Sequence, residues 1–159
     1  LAEAGFPNGF ETEIVAYRER NQTEAIINNL QQVGIKAKLN FSQYAAMRDQ
    51  NRANKAAITH QTWGSFSLND VSASVSVYFK GIDDDVTKDP EIIALLGKGD
   101  TTVDATVRKE TYKKALGLIA ERAYTVPLYA LTTYYVAAKD LEFKAYPDEL
   151  PRFWEMKWK

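Results

Sequence analysis

FETEIVAYRERNQTEAIINNLQQVGIKAKLNF, residues 10–41, decides the fold. Phe10 to Tyr17 is rich in β-formers and follows the turn Phe6-Pro-Asn-Gly9, which predicts a strand. Asn21 stands three residues before Glu24, the spacing of a capping box. Ile26, Ile27, Leu30 and Val33 then recur at helical spacing, and Gly34 supplies a left-handed stop. Ile35, Ala37, Leu39 and Phe41 alternate with Lys36, Lys38 and Asn40, the period of a half-buried strand. Strand, helix and strand make one βαβ unit, whose crossover should place the two strands parallel.

Working outward, Ser42 is expected to cap a helix running to about Ala53, and residues 57–63 read as a third parallel strand. The first strand should lie between the other two, because successive crossovers on opposite faces wind that way. Val71 to Phe79 fits a helix or a strand equally. Asp83-Asp84-Asp85 reads as a solvated loop. Asp89-Pro90-Glu91 is a helix start with Gly97 as its stop. Asp104 opens the longest helix, with Tyr112, Ala115, Leu116, Ile119 and Ala123 as its apolar stripe. Val126 to Leu131 and Tyr134 to Ala138 read as two further strands, with Pro127 suited to an edge. The fold class is therefore α/β: a three-layer lobe with a mixed, mainly parallel sheet.

The chain has 159 residues, 45% of them hydrophobic and 26% charged, which suits a folded domain with its own core. A net charge of −1 gives no bulk attraction to nucleic acid, and no partner of that kind is expected. Without cysteine there are no disulfides, thiolate zinc sites or cysteine nucleophiles. No apolar run reaches the roughly 20 residues needed to span a bilayer. The sequence starts at Leu1, with Leu1-Ala-Glu-Ala4 reading like a helix tail closed by Gly5, so an excised domain or processed fragment is expected. Residues 143–159 differ in kind: Tyr146, Phe153, Trp154 and Trp158 with two prolines and no clear period. That aromatic surface needs a partner, either within this domain or outside it.

No catalytic constellation stands out. The sole histidine, His60, has no acid or nucleophile beside it and reads as a structural or ligand-lining residue. The acidic run 83–85 lacks calcium-loop spacing, Gly97-Lys-Gly99 follows a helix where a phosphate cradle would precede one, and no serine sits in a nucleophile elbow. No metal and no cofactor is expected. Trp63 is the most informative candidate. It reads either as a core tryptophan or as the platform of a small-molecule pocket. Gly64 would let another group approach the backbone, and Ser65, Ser67 and Asn69 offer short polar groups. In open α/β sheets the end of such a strand is where ligands bind.

Several stretches together resemble the C-terminal lobe of family 5 extracellular solute-binding proteins, the peptide- and nickel-type receptors of ABC importers. Leu1-Ala-Glu-Ala-Gly-Phe-Pro-Asn-Gly-Phe10 resembles the family's LAEAGYPNGF. Leu30-Gln-Gln-Val-Gly-Ile-Lys-Ala-Lys-Leu39 is similar to its helix-to-strand step, and Trp63-Gly64 to the W-G after its central strand. Arg108-Lys-Glu-Thr-Tyr112, Thr125-Val-Pro-Leu-Tyr129 and the stretch from Phe143 to Phe153 follow in the family's order.

The resemblance implies two α/β lobes closing on a solute, with this chain as most of one lobe. It places solute contacts at Trp63, Gly64, Ser65 and Phe66, with His60 and Tyr44 lining the cleft. Many peptide receptors of the family carry an aspartate three residues after the tryptophan, to pair with the peptide's α-amino group. Phe66 stands there in this chain, and Asp70 lies four residues further on. The resemblance therefore leaves the solute open among an oligopeptide, an opine, a sugar and a modified peptide. It further implies an ABC permease and a missing N-terminal lobe as partners, and a periplasmic or extracellular location, with membrane attachment through a preceding anchor as one option. Residues 1–142 would form the lobe and residues 143–159 a closing segment packed toward the other lobe. Two rival readings are a free-standing flavodoxin-like enzyme domain and an interaction module using the C-terminal aromatics.

Overall fold

Residues 1–64, 68 and 70–159 are described by the structure, a computed structural model. The opening βαβ unit forms as the periodicity predicts. Strand β1 (Phe10–Ala16), helix α1 (Arg20–Gln32) and strand β2 (Ile35–Phe41) are followed by helix α2 (Tyr44–Arg52) and strand β3 (Ile58–His60). The three strands are parallel in the order β2-β1-β3, so the first strand is central as expected. The register runs from Phe10 opposite Ile35 to Ala16 opposite Phe41, and Ala16 also faces His60. A central parallel strand is covered on both faces, and Ile14, Val15 and Ala16 are accordingly all buried. Burying a side chain such as Ile14 or Val15 contributes about 1.5–3 kcal/mol relative to exposure. The turns before β1 and β2 touch: Phe10 N–H donates to the Gly34 carbonyl at 3.2 Å, and a Cβ on Gly9 would collide with that carbonyl.

The described chain divides into two units, residues 1–63 with 81–88 and residues 64–80 with 89–159. Four local expectations fail in the first unit. The capping box at Asn21 is not made. Helix α1 starts earlier, at Arg20, after Glu19 in the left-handed region (φ 47°), and Arg20 Nε takes the Glu24 carboxylate at 2.9 Å. Ser42 does not cap α2: Gln43 holds that position, and the Ser42 N–H, one residue earlier, donates to the Ala16 carbonyl at 2.9 Å. The Ser42 hydroxyl is buried without a hydrogen-bond partner among the described residues. Strand β3 pairs over three residues, so residues 57 and 61–63 lie outside the ladder.

The acidic run is not a solvated loop either. Asp85 is fully buried and accepts from the N–H groups of Gly81 (2.9 Å), Thr87 (2.9 Å) and Lys88 (3.0 Å). Asp84 accepts from Arg48 Nε at 2.9 Å and Arg52 Nε at 2.7 Å, both on α2. A short carboxylate can wrap a turn around itself in this way. Hydrogen bonds from Arg48 and Arg52 hold the Asp84 carboxyl well below the usual carboxylate range.

The second unit is built on side-chain burial. Residues 71–79 form two short helices, α3 (Val71–Ser74) and α4 (Ser76–Phe79); the long helices are α5 (Pro90–Thr101) and α6 (Ala105–Glu121). Phe79, Ile92, Leu96, Tyr112, Ala115 and Ile119 make its core. Asp89 and Asp104 cap α5 and α6 as expected, each accepting two backbone N–H groups. Gly97 does not stop α5, which runs on to Thr101. The glycine that matters is Gly99, which lies under the Tyr112 ring where a Cβ would collide. The apolar stripe of α6 is narrower than expected: Tyr112, Ala115 and Ile119 are buried, while Leu116 and Ala123 are exposed.

Residues 126–131 and 134–138 are not strands. Among the described residues their backbone has no ladder partner, and Val126, Tyr134 and Val136 stand exposed. The sheet of the second unit is the antiparallel pair β4 (Leu141–Glu142) and β5 (Lys157–Trp158). Before β5 comes one 3-10 turn, Phe153–Glu155, and Phe153, Trp154 and Trp158 are each more than 70% exposed.

Candidate solute-binding site

The three strand ends of the first unit converge because all three strands are parallel. After β1 comes Tyr17, at the start of α2 stands Tyr44, and after β3 come Thr62 and Trp63. Tyr17 packs on Tyr44 with ring centroids 5.0 Å apart and planes tilted by 58°. The Tyr17 hydroxyl lies 3.5 Å from the Thr62 carbonyl and 3.4 Å from its Oγ1, long contacts that tie the first strand end to the third. Tyr44 is 45% exposed and Trp63 39%, so both rings keep a face toward solvent. Trp63 is therefore not a fully buried core tryptophan. At Gly64 a Cβ would meet nothing within 4 Å.

His60, half-buried at the end of β3, lies 2.7 Å from Thr23 Oγ1 through its Nδ1. Thr23 is fully buried in the first turn of α1, and its hydroxyl also reaches the Glu19 carbonyl at 3.2 Å. A hydroxyl beside an imidazole has the make-up of a nucleophile and its base. A nucleophile with no exposed surface cannot meet a substrate, and this pair instead holds β3 against α1.

Of the residues singled out from sequence, the structure places Tyr44, His60 and Trp63 in the first unit, at or just beyond the ends of its strands. Gly64 follows Trp63 in the chain. Ser65, Phe66 and Asn69 lie outside the described residues. Sequence reading missed Tyr17, Thr62 and Thr23. The signal for Tyr17 was present: with β1 expected in the centre, the residue after it had to stand at the sheet's C-terminal edge.

Asp70 is committed elsewhere. In the second unit it caps α3 through Ser72 N–H (2.9 Å) and Ser72 Oγ (2.6 Å), and it takes Arg108 in a two-pronged pair at 2.6 and 2.7 Å. Those bonds, Arg108 first and then Ser72, hold its carboxyl far below the usual range. Arg108 also donates to Tyr112 Oη (3.0 Å), which donates to Asp100 (2.8 Å). Burial and the bond to Asp100 push the Tyr112 hydroxyl up to about 12. A shallow cleft of about 370 Å³ in the same unit, lined by Leu131, Tyr135, Tyr146 and Glu149 among others, is open to solvent. Among the described residues no group of histidines and acids could hold a metal ion, and no helix is long and apolar enough to cross a membrane.

Neither the protein-family models nor the curated proteins match this sequence. Solved structures do. The chain is similar to HbpA2 from Haemophilus parasuis, with a TM-score of 0.77 and 24% identity, over 100% of this chain and 34% of that one. It is similar to PBP AgaA from A.tumefacien R10, solved in complex with agropinic acid: TM-score 0.64, 29% identity, 77% of this chain and 27% of that one. It is similar to the ABC transporter-associated periplasmic binding protein DppA from Helicobacter pylori, solved with the peptide STSA: TM-score 0.65, 22% identity, 77% of this chain and 26% of that one. The chain thus spans about a third or less of the length of these proteins. Its structural neighbours are family 5 solute-binding proteins, and the chain has the α/β fold of part of such a protein.

Proposed function

We propose that this chain is the ligand-binding lobe of a two-lobed solute-binding protein that delivers a small oligopeptide-like or opine-like solute to an ABC importer. One observation carries the reading. Tyr17, Tyr44 and Trp63 stand at or just beyond the ends of parallel strands, Tyr17 against Tyr44, with the rings of Tyr44 and Trp63 partly open to solvent. That edge of an open α/β sheet is where ligands bind. The solutes in the AgaA and DppA structures, agropinic acid and a peptide, set the range. The solute would meet residues 63–66 and Asn69, with His60 and Tyr44 beside them. Recognition by stacking and hydrogen bonding needs no bond-breaking chemistry, so the chain acts as a carrier and not as an enzyme. Its partners are the permease and a second lobe, outside the cytoplasm. Residues 143–159 are the segment that turns toward that lobe, which supplies cover for Phe153, Trp154 and Trp158.

Closure of two lobes excludes water and doubles the contacts, so half a cleft should hold solute weakly. Calorimetry with a panel of peptides and opines tests this. The two-lobed protein should bind one class tightly while the chain alone binds it weakly or not at all. A micromolar complex with the chain alone would put the whole site in this lobe. Failure of every solute to bind the two-lobed protein would overturn the reading.

A further inference from the structure

We propose that Tyr17 is the positioning residue of the site, setting the two ring platforms Tyr44 and Trp63. The inference rests on the reading above only in taking those rings as the surface that meets solute.

Tyr17 follows directly after the buried run Ile14, Val15 and Ala16 of the central strand. The fixed backbone and a ring with only two side-chain torsions make it a stiff strut. Its ring lies against Tyr44 at 5.0 Å, and its hydroxyl reaches both oxygens of Thr62, the residue before Trp63. One side chain at the end of β1 therefore touches the segments that follow the other two strands. The residues it touches are the less secure ones. Tyr44 is the first residue of a nine-residue helix, and its ring is nearly half exposed. Thr62 and Trp63 lie beyond the ladder of a three-residue strand. Charge does not compete for the position: Arg18 pairs with Glu19 at 3.5 Å and Arg20 with Glu24 at 2.9 Å. The two functions of Tyr17 separate chemically. The ring supports Tyr44, and the hydroxyl supports Thr62 and through it Trp63.

Tyr17→Phe and Tyr17→Leu, followed by NMR on the ligand-free chain, test the proposal. The three tryptophans give three indole N–H signals, and Trp63→Phe assigns the one that matters. Tyr17→Phe should move or broaden the Trp63 indole signal and leave the Tyr44 ring signals in place. Tyr17→Leu should move both, while Trp154 and Trp158 hold still. In the two-lobed protein, affinity for whichever panel solute binds should fall a few-fold in Tyr17→Phe and about tenfold in Tyr17→Leu, a loss of about 1.4 kcal/mol. A merely structural Tyr17 would lower the melting temperature and leave the Trp63 and Tyr44 signals where they were, which overturns the proposal. Tyr17→Phe keeps the ring and decides the case if Tyr17→Leu does not fold. If no solute binds the wild type, the solute reading fails, while the ligand-free signals still decide whether Tyr17 sets the two rings.

Discussion

Residues 10–60 and residues 126–158 carry the same kind of pattern and meet different fates. Both hold short runs of β-forming, largely apolar residues. In the first, Phe10–Ala16 finds Ile35–Phe41 across a single helix, and Ile58–His60 joins on the other side. In the second, residues 126–131 and 134–138 have no ladder among the described residues and stand irregular and, Tyr135 apart, exposed. A β-forming run states what a segment can do if a sheet edge is offered; only a partner turns it into a strand.

The sharpest way to break this contrast is to put a charge at one valine in each region. Val15→Asp buries an unpaired carboxylate in the central strand and should unfold the first unit, a loss above about 4 kcal/mol. Val136→Asp, at a fully exposed position, should stay within about 0.5 kcal/mol of wild type in urea denaturation. A large loss at Val136 would mean that the second region is packed after all.

The next effect reads the ion pairs of both units. The Asp84 and Asp70 carboxyls lie below the usual range in the folded state, so the folded chain binds their protons more weakly than the unfolded chain does. Their stabilisation is present above the unfolded value of about 3.9 and is lost as pH falls below it. The Tyr112 hydroxyl has the opposite sign. Raised to about 12 from an ordinary value of about 10, it stabilises the fold below pH 10 and loses that contribution as pH climbs toward 12. Melting curves across both ranges should fall at each end; Asp70→Asn should flatten the acid limb and Tyr112→Phe the alkaline one.

A smaller effect separates two glycines of α5. Gly99→Ala drives a methyl into the Tyr112 ring and should cost about 1–3 kcal/mol. Gly97→Ala meets open space and should gain up to about 1 kcal/mol of helix propensity. The smallest effect lies at Ser42, whose buried hydroxyl has no partner among the described residues. Ser42→Ala should be neutral or stabilising by about 1 kcal/mol, and a clear loss would reveal a bond made through water.

Much of the sheet was legible because periodicity and burial agree there: strand order, parallel pairing and the central place of β1 all follow from residues 10–63. The helix starts at Asp89 and Asp104 were legible because a carboxylate cap is a local device. Choices that depend on a competing partner were not. Glu24 goes to Arg20 and away from a capping box, Ser42 N–H goes to Ala16, and Asp85 folds inward. Gly97 and Gly99 look alike in sequence, and only the Tyr112 ring tells them apart. At the candidate site, the aromatic after β3 could be read from its neighbours, whereas Tyr17 required the strand order to be applied to the residue just past β1.

The central claim is that the rings at the sheet edge serve a solute. The most direct test measures affinity and melting temperature together on Trp63→Ala in the two-lobed protein. A solute platform predicts binding weakened about tenfold or more, since about 1.4 kcal/mol is a factor of ten, with the melting temperature nearly unchanged. A stability loss of about 3–5 kcal/mol with unaltered affinity would make Trp63 a packing residue and contradict the account.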